Sequence, residues 1–211
     1  MRVTRKGRGY AAVLAAGAMA LAVSTLAAGC ASAPADPPQI PPAAPAAEQH
    51  EDARITLPVT VGVAFHYPTL ANHAEHAVLF TVQQAMRSMV QAEYSNNGAD
   101  TELADYWSGG GLTAAQTQIK DWVSHQQQPV GVIVLDDTKY TPASGTRPAT
   151  VTFCADWSHV VRGESRTHVV GAAVQSKGAR PTYEKLGVTR GTDKHLRVSS
   201  LSSAANSSKC S

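Results

Sequence analysis

The stretch Ala149-Thr-Val-Thr-Phe-Cys-Ala-Asp-Trp-Ser-His159 decides the fold of this chain. Apolar and polar residues alternate in it with a period of two, which is typical of a strand with one buried face. The apolar face carries Val151, Phe153, Ala155 and Trp157. The opposite face carries Cys154 and Asp156. The stretch therefore predicts a strand that anchors a sheet, with a thiol and a carboxylate on its second face.

Composition limits the class of protein. The chain has 211 residues, of which 43% are hydrophobic and 16% charged, enough for one folded domain with additional segments. The formal net charge of +2 arises from four cations in the first nine residues. Removing these from the 18 basic residues leaves 14, against 16 acidic residues from Cys30 onward. This weakly acidic body argues against a nucleic-acid partner.

The N-terminus has the pattern of a targeting segment. Basic residues precede an apolar run over 10–28, which predicts an export signal over 1–29. The run ends in Leu26-Ala27-Ala28-Gly29-Cys30, which resembles the lipobox of bacterial lipoproteins. The resemblance implies that Cys30 is the first mature residue and carries a lipid. The alternatives are an ordinary secretory signal or an uncleaved membrane helix.

The number of cysteines fits an exported protein. If Cys30 is acylated, Cys154 and Cys210 remain as an even pair in an oxidising compartment. We expect these two to form a disulfide that closes a loop of about 56 residues. Two free thiols are the alternative.

The order of predicted elements indicates an α+β protein. Residues 30–54 follow as a Pro/Ala-rich tether, and residues 55–211 form a single predicted domain. Residues 55–65 predict an edge strand or extended arm, because Pro58 interrupts the pattern. Helices are predicted over 72–94, over 101–107 with the glycines 109–111 closing it, and from Thr113 onward. Strands are predicted over 130–136, 149–159, 167–175, 182–189 and 196–201, with a loop around 162–164. Since the helices come first and the strands follow, the helices should pack on a curved antiparallel sheet.

These elements resemble a known family over residues 57–210. The chain resembles small actinobacterial-type lipoproteins with a cystatin-like cone domain of the nuclear-transport-factor-like superfamily. The resemblance rests on Tyr106-Trp107-Ser108, on the run from Phe153 to Ser158 and on Cys210 near the end. Members often have a Trp in the last strand, where this chain has Leu196 and Val198. The resemblance implies a shape and a location, while function must come from the site itself.

Four residues are the candidate pocket. In a cone-shaped sheet, Asp156 with His159 or Tyr106 would provide acid–base chemistry of the isomerase or dehydratase type, and Trp107 would line the rim. The alternative for Asp156 is a structural role on the polar strand face.

A histidine pair is a second candidate. His73 and His76 share a helix face beside Glu75, with His66 and His125 as further possible ligands. No signature spacing supports a metal site, and no metal, cofactor or catalytic residue is predicted.

Together these features predict a non-enzymatic, lipid-anchored cell-envelope protein with a binding or scaffolding role. It would sit on the extracytoplasmic face of the cell membrane, and an envelope protein or a small ligand would be its partner. The alternative is the pocket enzyme described above.

Overall fold

The computed structural model describes residues 55–67, 69–70, 72–99, 101–167, 169–175 and 178–210. The predicted signal peptide, Cys30 and the tether lie outside these residues and stay predictions. Among the described residues, no helix is both long enough and apolar enough to cross a bilayer.

Ten elements follow one another along the residues that the structure describes. They are β1 (Val61–Phe65), α1 (His73–Ser95), α2 (Thr101–Tyr106), α3 (Gly109–Ser124), β2 (Gln127–Thr141), β3 (Ala149–Asp156), β4 (Val160–Glu164), β5 (Val170–Ala173), β6 (Thr182–Arg190) and β7 (Leu196–Ala204). The strands form one sheet in the order β5-β4-β2-β3-β6-β7, with β1 also paired to β2. All pairs are antiparallel except β1 with β2, which is parallel. The predicted α+β fold, with N-terminal helices packed on a curved antiparallel sheet, is confirmed.

Strand β3 lies in the middle of the sheet, between β2 and β6. Its predicted apolar face is the buried one, since Val151, Phe153 and Ala155 are almost fully buried against helix α1 and the neighbouring strands. The alternation read from the sequence therefore gives the correct face, and we call this the inner face of the sheet.

Helix α1 crosses the inner face. Asn72 caps it by accepting a hydrogen bond from the Glu75 backbone N–H at 3.0 Å, and Asn96 ends it in the left-handed conformation at φ 53°. Most of its residues between 78 and 93 are buried, including polar ones. The helix is thus covered on nearly all sides, which forces some polar side chains into the interior.

The start of helix α3 differs from the prediction. The three glycines 109–111 form its first turn rather than closing α2, because α3 packs closely on β7. A Cβ on Gly111 would lie 2.5 Å from the Val198 carbonyl oxygen, closer than real contacts allow. Glycine at this position therefore lets the two backbones approach each other.

Two predicted irregular segments pair as strands. Residues 162–164, predicted as a loop, belong to β4 and pair with the first residues of β2. Strand β2 begins at Gln127 rather than at residue 130 and continues past an irregularity between Asp136 and Lys139. Pairing with neighbouring strands overrides the local turn signals in both cases.

The predicted disulfide between Cys154 and Cys210 is confirmed, with a Cα–Cα distance of 5.7 Å. Cys154 alternates with the inner-face residues of β3 and points to the other face, where the C-terminal segment covers it. The bond therefore fastens the end of the chain to the outer face of the central strand.

Candidate functional site

The four predicted pocket residues do not come together. Trp107 bridges to Val198, which lies level with Ala149 at the first end of β3. Asp156 is at the last residue of β3, seven residues further on, or about 23 Å along the strand. Tyr106 precedes Trp107, and His159 follows Asp156. The expectation of one pocket shared by these side chains is therefore wrong, because sequence order does not show which ends of the strands meet.

Three of the four residues have a structural environment that the contacts define. Asp156 accepts a hydrogen bond from the Ser158 backbone N–H at 2.8 Å, which shapes the turn after β3. His159 is exposed. Trp107 is only 1% exposed and lines no rim, because its indole N–H donates to the Ala85 carbonyl at 2.9 Å inside the core. The structural alternative for Asp156 fits this geometry.

The histidine pair does not gather a metal-ligand set. Within the part of the chain that the structure describes, no three His, Cys, Asp or Glu side chains lie close enough to hold a metal ion. His66 pairs with Asp136, and His125 lies 3.5 Å from Asp121. The two histidines proposed as additional ligands are thus engaged elsewhere.

A different group of polar side chains lies in the interior. Tyr67 Oη, Gln84 Nε2 and Arg87 Nε are buried, and none has a hydrogen-bond partner among the described residues. We call these three residues the donor cluster. All three atoms carry hydrogen to donate, so each of them is complementary to an acceptor oxygen, above all a negatively charged one.

Backbone contacts hold the two helical members of the donor cluster in place. Gln84 and Arg87 are three residues apart on α1 and share a face. Gln84 Oε1 accepts from the Ile55 N–H at 3.1 Å, which directs the amide NH₂ group away from that contact. Arg87 Nη1 donates to the Ile55 carbonyl at 3.3 Å. The chain at Ile55 therefore orients both side chains while leaving other donors unused.

Tyr67 is positioned from the central strand. Its ring stacks on Phe65 at 5.4 Å, and Phe65 meets Phe153 of β3 edge to face at 6.2 Å. Burial raises the pKa of the Tyr67 hydroxyl, and the positive charge of Arg87 lowers it by a smaller amount. The hydroxyl therefore stays protonated and remains a donor.

A small cavity of about 10 Å³ lies beside Tyr67. Gln83 and His76 line it, and Leu70, Leu79 and Phe80 complete its wall. Such a volume takes a single water-sized group. Tyr67 and His76 thus line the same small space. Arg87 acts on Tyr67 through its charge, and it has no carboxylate partner in an ion pair among the described residues.

Two buried carboxyl groups lie away from this cavity. Burial raises the pKa of Glu93, near the end of α1, to about 8; Arg162 acts to lower it and Asp121 to raise it. Burial also raises the pKa of Glu184 on β6 to about 7, against the hydrogen bond from Ser203. Arg162 lies over the ring of Trp122, which stacks with Trp157. Neither carboxyl group lines the cavity at Tyr67.

The sequence holds one signal for the donor cluster. Apolar residues occur on nearly all sides of α1, which indicates that the helix is buried on nearly all sides. Gln83, Gln84 and Arg87 are therefore buried as well. Tyr67 carries no such signal, because it lies in an irregular segment after β1.

Comparison with known proteins gives structural likeness alone. No family model and no curated protein matches the chain. The fold is similar to ActVI-ORFA from Streptomyces coelicolor, with a TM-score of 0.40 and 13% identity over 63% of this chain and 96% of that one. It is also similar to a "putative ketosteroid isomerase" from Shewanella frigidimarina, with a TM-score of 0.31 and 9% identity over 59% of this chain and 94% of that one. At these values the two likenesses concern the fold alone.

The expectation of a non-enzymatic binding or scaffolding protein is contradicted by this outcome. One of the two similar chains is named as a "putative ketosteroid isomerase", whereas that expectation was of a protein without an activity. Trp107 and Asp156, two of the residues first expected to form a pocket, lie far apart along β3. The case for an enzyme therefore depends on the cavity beside Tyr67.

Proposed function

We propose that the protein is a proton-transfer enzyme of the isomerase type that acts on a small, largely apolar carbonyl compound. The observation that carries the proposal is Tyr67, whose buried hydroxyl has no hydrogen-bond partner among the described residues and which lines the cavity together with His76. Preorganised donors of this kind stabilise oxygen atoms that gain negative charge in a transition state.

The proposed reaction moves one proton. His76 takes a proton from the carbon next to the carbonyl group, and the electron pair of that C–H bond moves onto the carbonyl oxygen. Tyr67 donates a hydrogen bond to this oxygen, and the Arg87 charge stabilises the enolate. The imidazolium then returns the proton to another carbon of the conjugated system, so the product has the same atoms as the substrate.

The cavity restricts the substrate. About 10 Å³ admits the carbonyl oxygen and little else. The body of the substrate would therefore lie at the mouth, on the partly buried side chains of Leu70 and Phe80. This arrangement favours a compact apolar ring or chain over a charged or extended molecule.

Deuterium exchange tests the proposal without knowledge of the natural substrate. The purified full chain is incubated in D₂O with a panel of small cyclic ketones and enones, and exchange at the α-carbon is followed by NMR. We expect enzyme-dependent exchange that falls by at least about 100-fold in Tyr67→Phe and in His76→Asn.

Matched controls come from the same elements. His73→Asn changes an exposed histidine one turn away on α1, and Tyr94→Phe changes a tyrosine outside the cavity. Both should retain exchange. Absence of enzyme-dependent exchange across the panel, or full exchange in Tyr67→Phe, would refute the proposed mechanism.

We also propose that the enzyme works outside the cytoplasm, attached through a lipid on Cys30. The segment before Cys30 supports export, and the disulfide supports an oxidising compartment.

A further inference from the structure

A second recess lies on the outer face of the sheet. Its volume is about 380 Å³, and the connection between β2 and β3 forms one wall. Thr150, Lys185 and Ser200 line it. Thr150 and Lys185 alternate along their strands with the buried Val151 and Leu186 of the inner face, and Ser200 pairs with Gly187, which also lines the recess. We call this recess the outer groove. It is separated from the cavity at Tyr67 by the sheet itself.

The outer groove is positively charged and rich in hydroxyl groups. Arg147 and Lys185 line it, and none of its lining residues is acidic. Neither cation makes an ion pair within the described residues. The hydroxyl groups belong to Thr141, Ser144, Thr150 and Ser200. Two exposed cations and several hydroxyls fit a ligand that carries an oxyanion together with hydroxyl groups of its own.

A glycine forms the floor of the groove. A Cβ on Gly187 would lie 2.4 Å from Ser200 Oγ and 3.4 Å from Pro148 Cγ. The pairing of β6 with β7 also shifts register at this point, between Gly187 and Val188. The floor therefore depends on a residue without a side chain, because a Cβ here would collide with Ser200 Oγ.

We propose that the outer groove binds an acidic saccharide, a sugar ring bearing a carboxylate or phosphate group. The oxyanion would lie between Arg147 and Lys185, and the ring hydroxyls would pair with Thr150 and Ser200. The volume is at the lower end of the range of about 300–1,000 Å³ for small-molecule sites, which suits a single substituted ring. The site is independent of the proposed isomerase activity.

Calorimetric titration of the purified full chain tests this inference with four probes: glucuronate, glucose 6-phosphate, glucose and inorganic phosphate. We expect the two acidic sugars to bind with Kd near or below about 1 mM. Glucose and phosphate alone should each bind at least about tenfold more weakly, since each offers only part of the ligand. Raising the salt concentration should weaken binding of the acidic sugars.

Substitutions locate the site. Arg147→Gln and Lys185→Gln should each weaken acidic-sugar binding by about tenfold, whereas Lys120→Gln, which removes an exposed cation on α3, should not. Thr150→Trp should fill the groove and remove binding with an unchanged melting temperature. The inference is overturned if neither acidic sugar binds, or if glucose or phosphate binds as tightly as they do. It is equally overturned if Lys120→Gln weakens binding as much as Lys185→Gln.

Discussion

Replacing Glu93 with Gln should change how the stability of the protein depends on pH. Glu93 is 1% exposed, and its Oε2 atom has no hydrogen-bond partner among the described residues. Burial raises the pKa of this carboxyl from 4.5 to about 8, although Arg162 acts in the opposite direction. The folded state therefore holds the proton more tightly than the unfolded state does.

The sign and size of the effect follow from linkage. As the pH rises from 4.5 to about 8, the unfolded state gains stability by ionising while the folded state stays protonated. Each unit of pKa difference corresponds to about 1.4 kcal/mol, so this group lowers the free energy of unfolding by about 5 kcal/mol over that range. The loss is complete above the folded pKa and absent below the unfolded one.

Chemical denaturation at a series of pH values measures this contribution. The free energy of unfolding of Glu93→Gln minus that of the wild type should rise by about 5 kcal/mol between pH 4.5 and pH 8.5. Taking this difference removes the parallel contribution of Glu184. Asp105→Asn, at an exposed carboxylate on α2, is the control and should show a nearly constant difference. A constant difference for Glu93→Gln would refute the reasoning, because it would mean that the carboxyl is not desolvated.

Three further predictions concern other parts of the chain. Replacing Cys154 and Cys210 together with Ala should lower the free energy of unfolding by about 4 kcal/mol, and adding a reductant to the wild type should give a similar shift in denaturation. Trp107→Phe should lower the free energy of unfolding by about 3 kcal/mol, because it removes the indole N–H that donates to Ser88 and to the α1 backbone. Thermal unfolding measures this loss, and a loss under about 1 kcal/mol would contradict the packing described. Cys30→Ala should abolish incorporation of a clickable palmitate analogue in cells, whereas persistent labelling would rule out this lipidation site.

Local patterns in the sequence identify several elements because their signals do not depend on distant residues. The alternation in β3 identifies its buried face, and Asn72 begins α1 where a capping residue is expected. The disulfide also follows from the sequence, since only two cysteines remain after Cys30. Residues 162–164 are not identified in this way, because they form a strand only through pairing with β2.

The candidate site depends on contacts that no local pattern describes. Tyr67 follows β1, whereas Gln84 and Arg87 lie in the middle of α1, and Ile55 joins the latter two through its backbone. Two residues expected to share a pocket do not meet, because Asp156 ends β3 whereas Trp107 lies level with the beginning of that strand. Only the register of the sheet and the path of the helix across it decide which of these side chains meet.

By itself, the sequence determined the α+β class, the buried face of the central strand and the pairing of Cys154 with Cys210. These depend on periodicity, capping and the number of cysteines, which act within a segment or across the whole composition. The tertiary structure alone decided that Asp156 shapes a turn, that Trp107 fills the core, and that Tyr67, Gln84 and Arg87 place unpaired donors in the interior. The physical reason is that a side chain's chemistry depends on its burial and partners, and both are set by distant segments that fold against it.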